Sequence, residues 1–162
     1  MKLRQIVIVS IVLLGAVACY KTPQYPIVPT LKFERFDHPN EVFTLGDTGN
    51  VILYFTDGDG DLGKLNNQDS TSRLIYRNLR DTVFFNTDNY YVIPIIPNKG
   101  TTNAIDGTIE VKLSSALLNS YEAYFITKGI SIDTFTFKMY ITDRANHQSN
   151  VITTPPIVVK MP

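Results

Sequence analysis

Thr134-Phe135-Thr136-Phe137-Lys138-Met139-Tyr140-Ile141 alternates strictly, with Phe135, Phe137, Met139 and Ile141 at one parity and the threonines, Lys138 and Tyr140 at the other. A period of two sends the first set to one face of a β-strand and the second to the opposite face, the pattern of a strand with one buried side. Thr108-Ile109-Glu110-Val111-Lys112-Leu113 repeats it. Val51 to Phe55 is instead a continuous apolar run bounded by Asn50 and Asp57, as in a central strand covered on both faces. Further strands are expected at Leu31–Phe36, Arg73–Leu79, Tyr91–Ile95 and Val151–Val159, with Thr82–Phe85 as a short extra. Pro155 and Pro156 break the last of these or place it at an edge. One or two helical turns are expected within Ser114–Tyr124, capped by Ser114 or Ser115. Seven or eight short strands with Gly, Asn and Asp punctuation predict an all-β fold, an immunoglobulin-like two-sheet sandwich. The alternative is a small barrel, because strand patterns alone do not order the strands.

Outward from this body, the N-terminus reads as a targeting segment. Met1–Arg4 carries two positive charges, Ile6–Ala18 is an uncharged apolar run, and Ala16-Val17-Ala18 puts small residues just before Cys19. That charge order and cleavage chemistry predict a signal peptide over residues 1–18. The run is short for a membrane span, which needs about 20 apolar residues. A cut before Cys19 would leave 162 − 18 = 144 residues, enough for one core without staples. With Lys2 and Arg4 removed, 15 − 2 = 13 basic side chains face 15 acidic ones, a balance that gives no reason to expect nucleic acid. The single cysteine cannot form an internal disulfide, and its position favours lipidation. Cys19 after the small-residue triplet resembles a bacterial lipobox, although Ala16 stands where that pattern prefers leucine. Pro23, Pro26 and Pro29 then read as an extended tether over residues 19–30 at about 3.1 Å per residue. Tyr20, where the best-known sorting rule places an inner-membrane aspartate, implies by resemblance to that rule an outer-membrane location, with the periplasmic or surface face left open.

The candidate site is Phe55-Thr56-Asp57-Gly58-Asp59-Gly60-Asp61-Leu62-Gly63, which sets three carboxylates at alternate positions directly after an apolar strand. Calcium takes about six to eight oxygen ligands, and glycines let such a loop curl until its oxygens converge. An EF-hand is rejected, because Leu62 and Gln68 stand where that loop needs glycine and glutamate. A second polar cluster, Thr142 to Asn150, follows the strand ending at Ile141. In an immunoglobulin-like sandwich the loops after the second and sixth strands lie at one end, and the connection from Pro97 to Ala104, with Asn98 and Asn103, would join them. Asp57, Asp59, Asp61, Asp143 and Asn146 are therefore the expected metal ligands, for calcium in a weak range of about 10⁻⁴–10⁻³ M. The competing reading makes the Asp-Gly repeats turn chemistry alone, with Arg144 neutralising the loop through a salt bridge. What favours a cation is mutual repulsion among three close carboxylates without Lys or Arg in the stretch.

The lipobox, the FTDGDGDLG loop, Tyr91-Val92-Ile93-Pro94-Ile95-Ile96-Pro97, Asp106-Gly107-Thr108-Ile109-Glu110-Val111 and Asp143-Arg144-Ala145-Asn146 with Ser149-Asn150, in that order, resemble a group of uncharacterised lipoproteins common in Bacteroidota. Ala145 stands where that group has glycine. The resemblance implies fold and envelope location and carries no activity. For catalysis the inventory is thin: two histidines, His38 in a turn-like stretch and His147 in the second polar loop, and no serine in a nucleophile elbow. No catalytic residue is assigned. The expected function is a membrane-anchored, non-catalytic binding or scaffold domain engaging a protein or glycan partner, with Asn89-Tyr90-Tyr91 as the best exposed aromatic segment. A carbohydrate-binding accessory module is the alternative, and a hydrolase using loop aspartates the remoter one.

Overall fold

The computed structural model describes residues 24–38, 42–80, 82–97, 103–113 and 121–162. The expected leader, Cys19, the first part of the tether, Asn98 and the start of the expected helix lie outside these residues. Ten strands and one helix are described: β1 (Thr30–Asp37), β2 (Val42–Thr44), β3 (Asn50–Asp57), β4 (Arg73–Asn78), β5 (Asn89–Val92), β6 (Ile105–Lys112), α1 (Tyr121–Lys128), β7 (Ile132–Phe135), β8 (Phe137–Thr142), β9 (Ile152–Thr153) and β10 (Ile157–Lys160).

They form an all-β sandwich, with sheets ordered β1-β3-β6, β5-β4-β8-β9 and β2-β10-β7. The first is antiparallel, Val51 facing Val111 and Leu53 facing both Phe33 and Ile109, with a bulge between Phe33 and Arg35 in β1. The second and third sheets are continuous halves of one hairpin. Only Thr136 separates β7 from β8, Thr154, Pro155 and Pro156 separate β9 from β10, and Phe137 N–H donates to Thr154 Oγ1 across the break. Between the layers lie Val51, Leu53, Phe55, Leu74, Phe135, Phe137, Met139 and Ile141, all buried. Burying one such side chain stabilises by about 1.5–3 kcal/mol before ordering costs, so this row carries the sandwich.

The strand count exceeds the expected seven or eight for local reasons. The alternating run at Thr134–Ile141 keeps its buried parity throughout but changes sheet at Thr136, and Pro155-Pro156 splits the last strand. β2 is three residues long and pairs in parallel with β10, Phe43 facing Val159, a contact no local pattern announces. At Tyr91–Ile95 the strand ends at Val92: Ile93 N–H still donates to Ser72 O, but Pro94 has no donor to continue the ladder. Thr82–Phe85 forms turns; Phe85 instead stacks on Tyr121 and Tyr124 at centroid distances of 4.8 and 5.1 Å.

β5 pairs with β4 and leaves β6 as an edge of the first sheet, where an antibody constant domain would keep the corresponding strand beside β6. Of the expected helical stretch Ser114–Tyr124, the described residues Tyr121–Tyr124 are helical and open α1. Tyr121, Tyr124 and Phe125, spaced by three and four, form its buried stripe. Gly129 ends it at φ +63°, with Gly129 N–H bonded to Ile126 O and Ile130 N–H to Phe125 O, a Schellman stop.

Candidate metal centre

Asp57 is the last residue of β3 and keeps the parity of Val51, Leu53 and Phe55. Alternation therefore drives its side chain into the interior, where it is 0% exposed. One oxygen, Oδ2, accepts Leu62 N–H at 2.8 Å, so the loop folds back over it. Asp61 Oδ2 accepts Ala145 N–H at 3.0 Å, and Arg144 Nη1 donates to Gly63 O at 2.7 Å. The loops after β3 and β8 thus meet, as the sandwich topology requires. The connection into β6 meets them too: a Cβ on Gly60, at φ +70°, would stand 1.8 Å from Asn103 O. Gly58 N–H donates to Pro26 O, and a Cβ there would lie 2.2 Å from Tyr25 O, so the tether residues pass over the same end.

Asp57, Asp59 and Asp61 each offer one carboxylate oxygen within 4.8 Å of the others. Among the described residues, the Oδ1 atom of each is buried without a hydrogen-bond partner. Ligand oxygens at about 2.3–2.6 Å from a calcium ion are separated by up to about twice that, so the three can hold one cation between them. The second oxygens of Asp57 and Asp61 are taken by backbone donors, Leu62 N–H and Ala145 N–H, and the Oδ1 atoms are not.

The charges agree with the geometry. Burial, and then the Asp59 and Asp61 carboxylates, push the Asp57 carboxyl from 3.8 up to about 6, against the Leu62 N–H that lowers it. Asp61 is raised by burial, Asp143 and Asp59, only partly offset by Arg144 and Ala145 N–H. Asp69, further along the same connection, behaves oppositely: Thr71 and Leu65 N–H groups and the Thr71 hydroxyl hold it down at about 2. Asp69 is the turn-building aspartate, accepting all three donors at 2.7–2.9 Å. Turn chemistry thus accounts for Asp69 and leaves the trio unexplained.

The other two expected ligands have different surroundings. Asp143 is fully buried beside the trio, but its Oδ1 accepts His147 N–H at 2.8 Å and its Oδ2 lies 2.9 Å from His147 Nδ1. It acts on the site through its charge on Asp61. Asn146 is exposed, and its left-handed backbone at φ 66° with N–H bonded to Asp143 O closes the turn. Arg144 makes no ion pair with the trio among the described residues, its guanidinium serving the Gly63 carbonyl. Ser72, which the sequence did not single out, is fully buried, accepts Gly63 N–H at 2.8 Å and donates to Thr142 O at 3.0 Å. A serine ahead of a strand carries no signal that two distant loops will use its hydroxyl.

The chain matches no protein-family model, no curated protein and no solved structure. Among the described residues, no helix is long and apolar enough to cross a membrane.

Proposed function

We propose that the chain is a lipid-anchored envelope protein whose sandwich is a non-catalytic binding or scaffold domain stabilised by calcium through Asp57, Asp59 and Asp61. The observation that carries the calcium reading is the set of three carboxylates that bring one oxygen each within 4.8 Å of the others and that each keep a buried Oδ1 without a hydrogen-bond partner among the described residues. An orphan carboxylate oxygen in a dry site costs free energy unless a proton or cation meets it. A cation on the trio would also steady Asp61, whose second oxygen takes Ala145 N–H from the loop after β8, which supports a role in fixing one end of the sandwich as a presentation surface. Cys19 supplies the anchor in this reading, and the proline tether reaches the metal end, where Pro26 O accepts Gly58 N–H. The test is thermal denaturation with calcium against chelator: calcium is expected to raise the melting temperature of the wild type and to leave Asp59→Asn unmoved. Metabolic labelling with a fatty acid, lost in Cys19→Ser, tests the anchor.

A specific observation favours a glycan as partner. Tyr90, Ile75 and Tyr140 stand directly opposite one another across β5, β4 and β8, on the face away from the core. Tyr90 is 56% exposed with Arg73 at 4.6 Å over its ring. Two tyrosines flanking an aliphatic side chain on one sheet face offer stacking surface for sugar rings. Binding to a glycan array that is lost in Tyr90→Ala supports this second reading, and no binding to any glycan removes it.

A further inference from the structure

The geometry points to a two-fold dimer of this chain through antiparallel pairing of β6 with β6 of a second copy. β6 has β3 on one side and, among the described residues, no strand on the other. Leu113 N–H donates to Gly49 O, which in the β3–β6 register fixes the parity of the ladder. Ile105, Gly107, Ile109 and Val111 bond toward β3, and the backbone groups of Asp106, Thr108, Glu110 and Lys112 point to the open side. An eight-residue edge of this kind is a template for another strand. The opposite edge of the sheet is treated differently: Asn150 Nδ2 donates to Leu31 O while its Oδ1 accepts Leu31 N–H, both at 2.9 Å, so a side-chain amide caps β1. β5, the edge across the sandwich, has four residues and runs into Pro94.

Beside the β6 edge lies a cleft of about 740 Å³, lined by β6 along its length, by Tyr91–Pro94, and by the core residues Phe55 and Leu74. Among the described residues, apolar seam and unpaired backbone occur together there with no element of the same copy to cover them. The sequence of β6 is self-complementary in one register. With the axis at Ile109, Asp106 of one copy stands opposite Lys112 of the other, twice, and Thr108 stands opposite Glu110. All four are residues whose backbone groups point outward, so the ladder and the charge pairs coincide. On the inner face Ile109 meets its own counterpart at the axis. Val111 meets Gly107, against the Phe55 ring that packs 3.2 Å from where a Gly107 Cβ would be. Lys112 has no ion pair within the chain among the described residues, and Asp106 uses one oxygen for the Tyr54 hydroxyl at 2.8 Å, leaving the other for Lys112.

The register makes the test sharp. In the full-length chain purified in detergent, sedimentation is expected to show a dimer. Lys112→Asp, an exposed substitution, is expected to weaken dimerisation by about tenfold or more by setting like charges opposite, and Asp106→Lys with Lys112→Asp is expected to restore it. In a Cys19→Ser background, Ile109→Cys is expected to cross-link to its own copy, since facing residues outside the hydrogen-bonded pairs lie about 4.5 Å apart at Cα, within disulfide reach. Gly107→Cys and Val111→Cys alone are expected not to. A monomer at every concentration overturns the proposal, as does a dimer indifferent to Lys112→Asp. Capture of the Ile109→Cys thiol by a different polypeptide overturns it in favour of strand donation from another protein. Circular dichroism of Lys112→Asp separates a lost interface from a lost fold.

Discussion

Replacing Asp57 by Asn should produce a crossover in stability rather than a simple loss. The asparagine Oδ1 can still accept Leu62 N–H, now at 2.8 Å from Asp57 Oδ2, so the loop keeps its fold-back contact. What changes is the charge. Holding that carboxyl at about 6 instead of 3.8 corresponds to at most about 3 kcal/mol at neutral pH, and solvent screening from the open side of the loop reduces this to about 1–2 kcal/mol. Without metal, Asp57→Asn is therefore expected to be more stable than wild type at neutral pH by that amount, about 3–10 °C in melting temperature for a domain of this size. With calcium at about a hundred times a Kd of about 10⁻⁴ M, the wild type gains about 2.7 kcal/mol and the variant little. The order of stabilities then reverses. Thermal melts in chelator and in calcium, run side by side, measure both halves. Equal destabilisation of the variant under both conditions would refute the reasoning, because Asp57 would then be an ordinary acceptor with no electrostatic penalty to relieve.

The remaining predictions follow from the same end of the sandwich. Between pH 3.8 and about 6 the folded chain holds a proton on Asp57 that the unfolded chain releases; metal-free stability contributed by this group is present below that window and lost as pH rises through it. The wild type minus Asp57→Asn difference in urea denaturation should show that slope, and calcium affinity should fall as pH drops below about 6. Gly60→Ala forces a Cβ to 1.8 Å from Asn103 O at φ +70°, and should cost more than about 1–3 kcal/mol in the same denaturation assay. Ser72→Ala leaves Gly63 N–H and Thr142 O without the hydroxyl that joins them, and should cost about 1–3 kcal/mol and weaken calcium binding. Gly58→Ala should free the tether from Pro26 onward, read as faster limited proteolysis ahead of β1 with little change in the core.

The sandwich was legible because its strands satisfy a purely local rule. Phe137, Met139 and Ile141 announce β8 by parity alone, and the Val51–Phe55 run announces a central strand. The three-residue β2 offers no period, and its partner β10 lies more than a hundred residues away. The change of sheet at Thr136 leaves the buried parity intact, so the sequence there looks like one strand. Phe84 and Phe85 read as strand residues because aromatic side chains suit sheets as well as they suit the ring cluster with Tyr121, Tyr124 and Phe135. At the candidate site, the alternate spacing of Asp57, Asp59 and Asp61 and the meeting of the two loops could be read directly. The engagement of Asp143 with His147 could not, since a carboxylate beside a metal loop is equally a ligand or a hydrogen-bond acceptor until its donors are placed.

Calorimetric titration of calcium into the metal-stripped chain tests the calcium centre most directly. One site per chain is expected, with Kd in the range of about 10⁻⁴–10⁻³ M, abolished by Asp59→Asn. The absence of any binding heat and of any melting shift up to about ten times that range would contradict it, and would leave the Asp57–Asp59–Asp61 cluster as a proton-sharing turn.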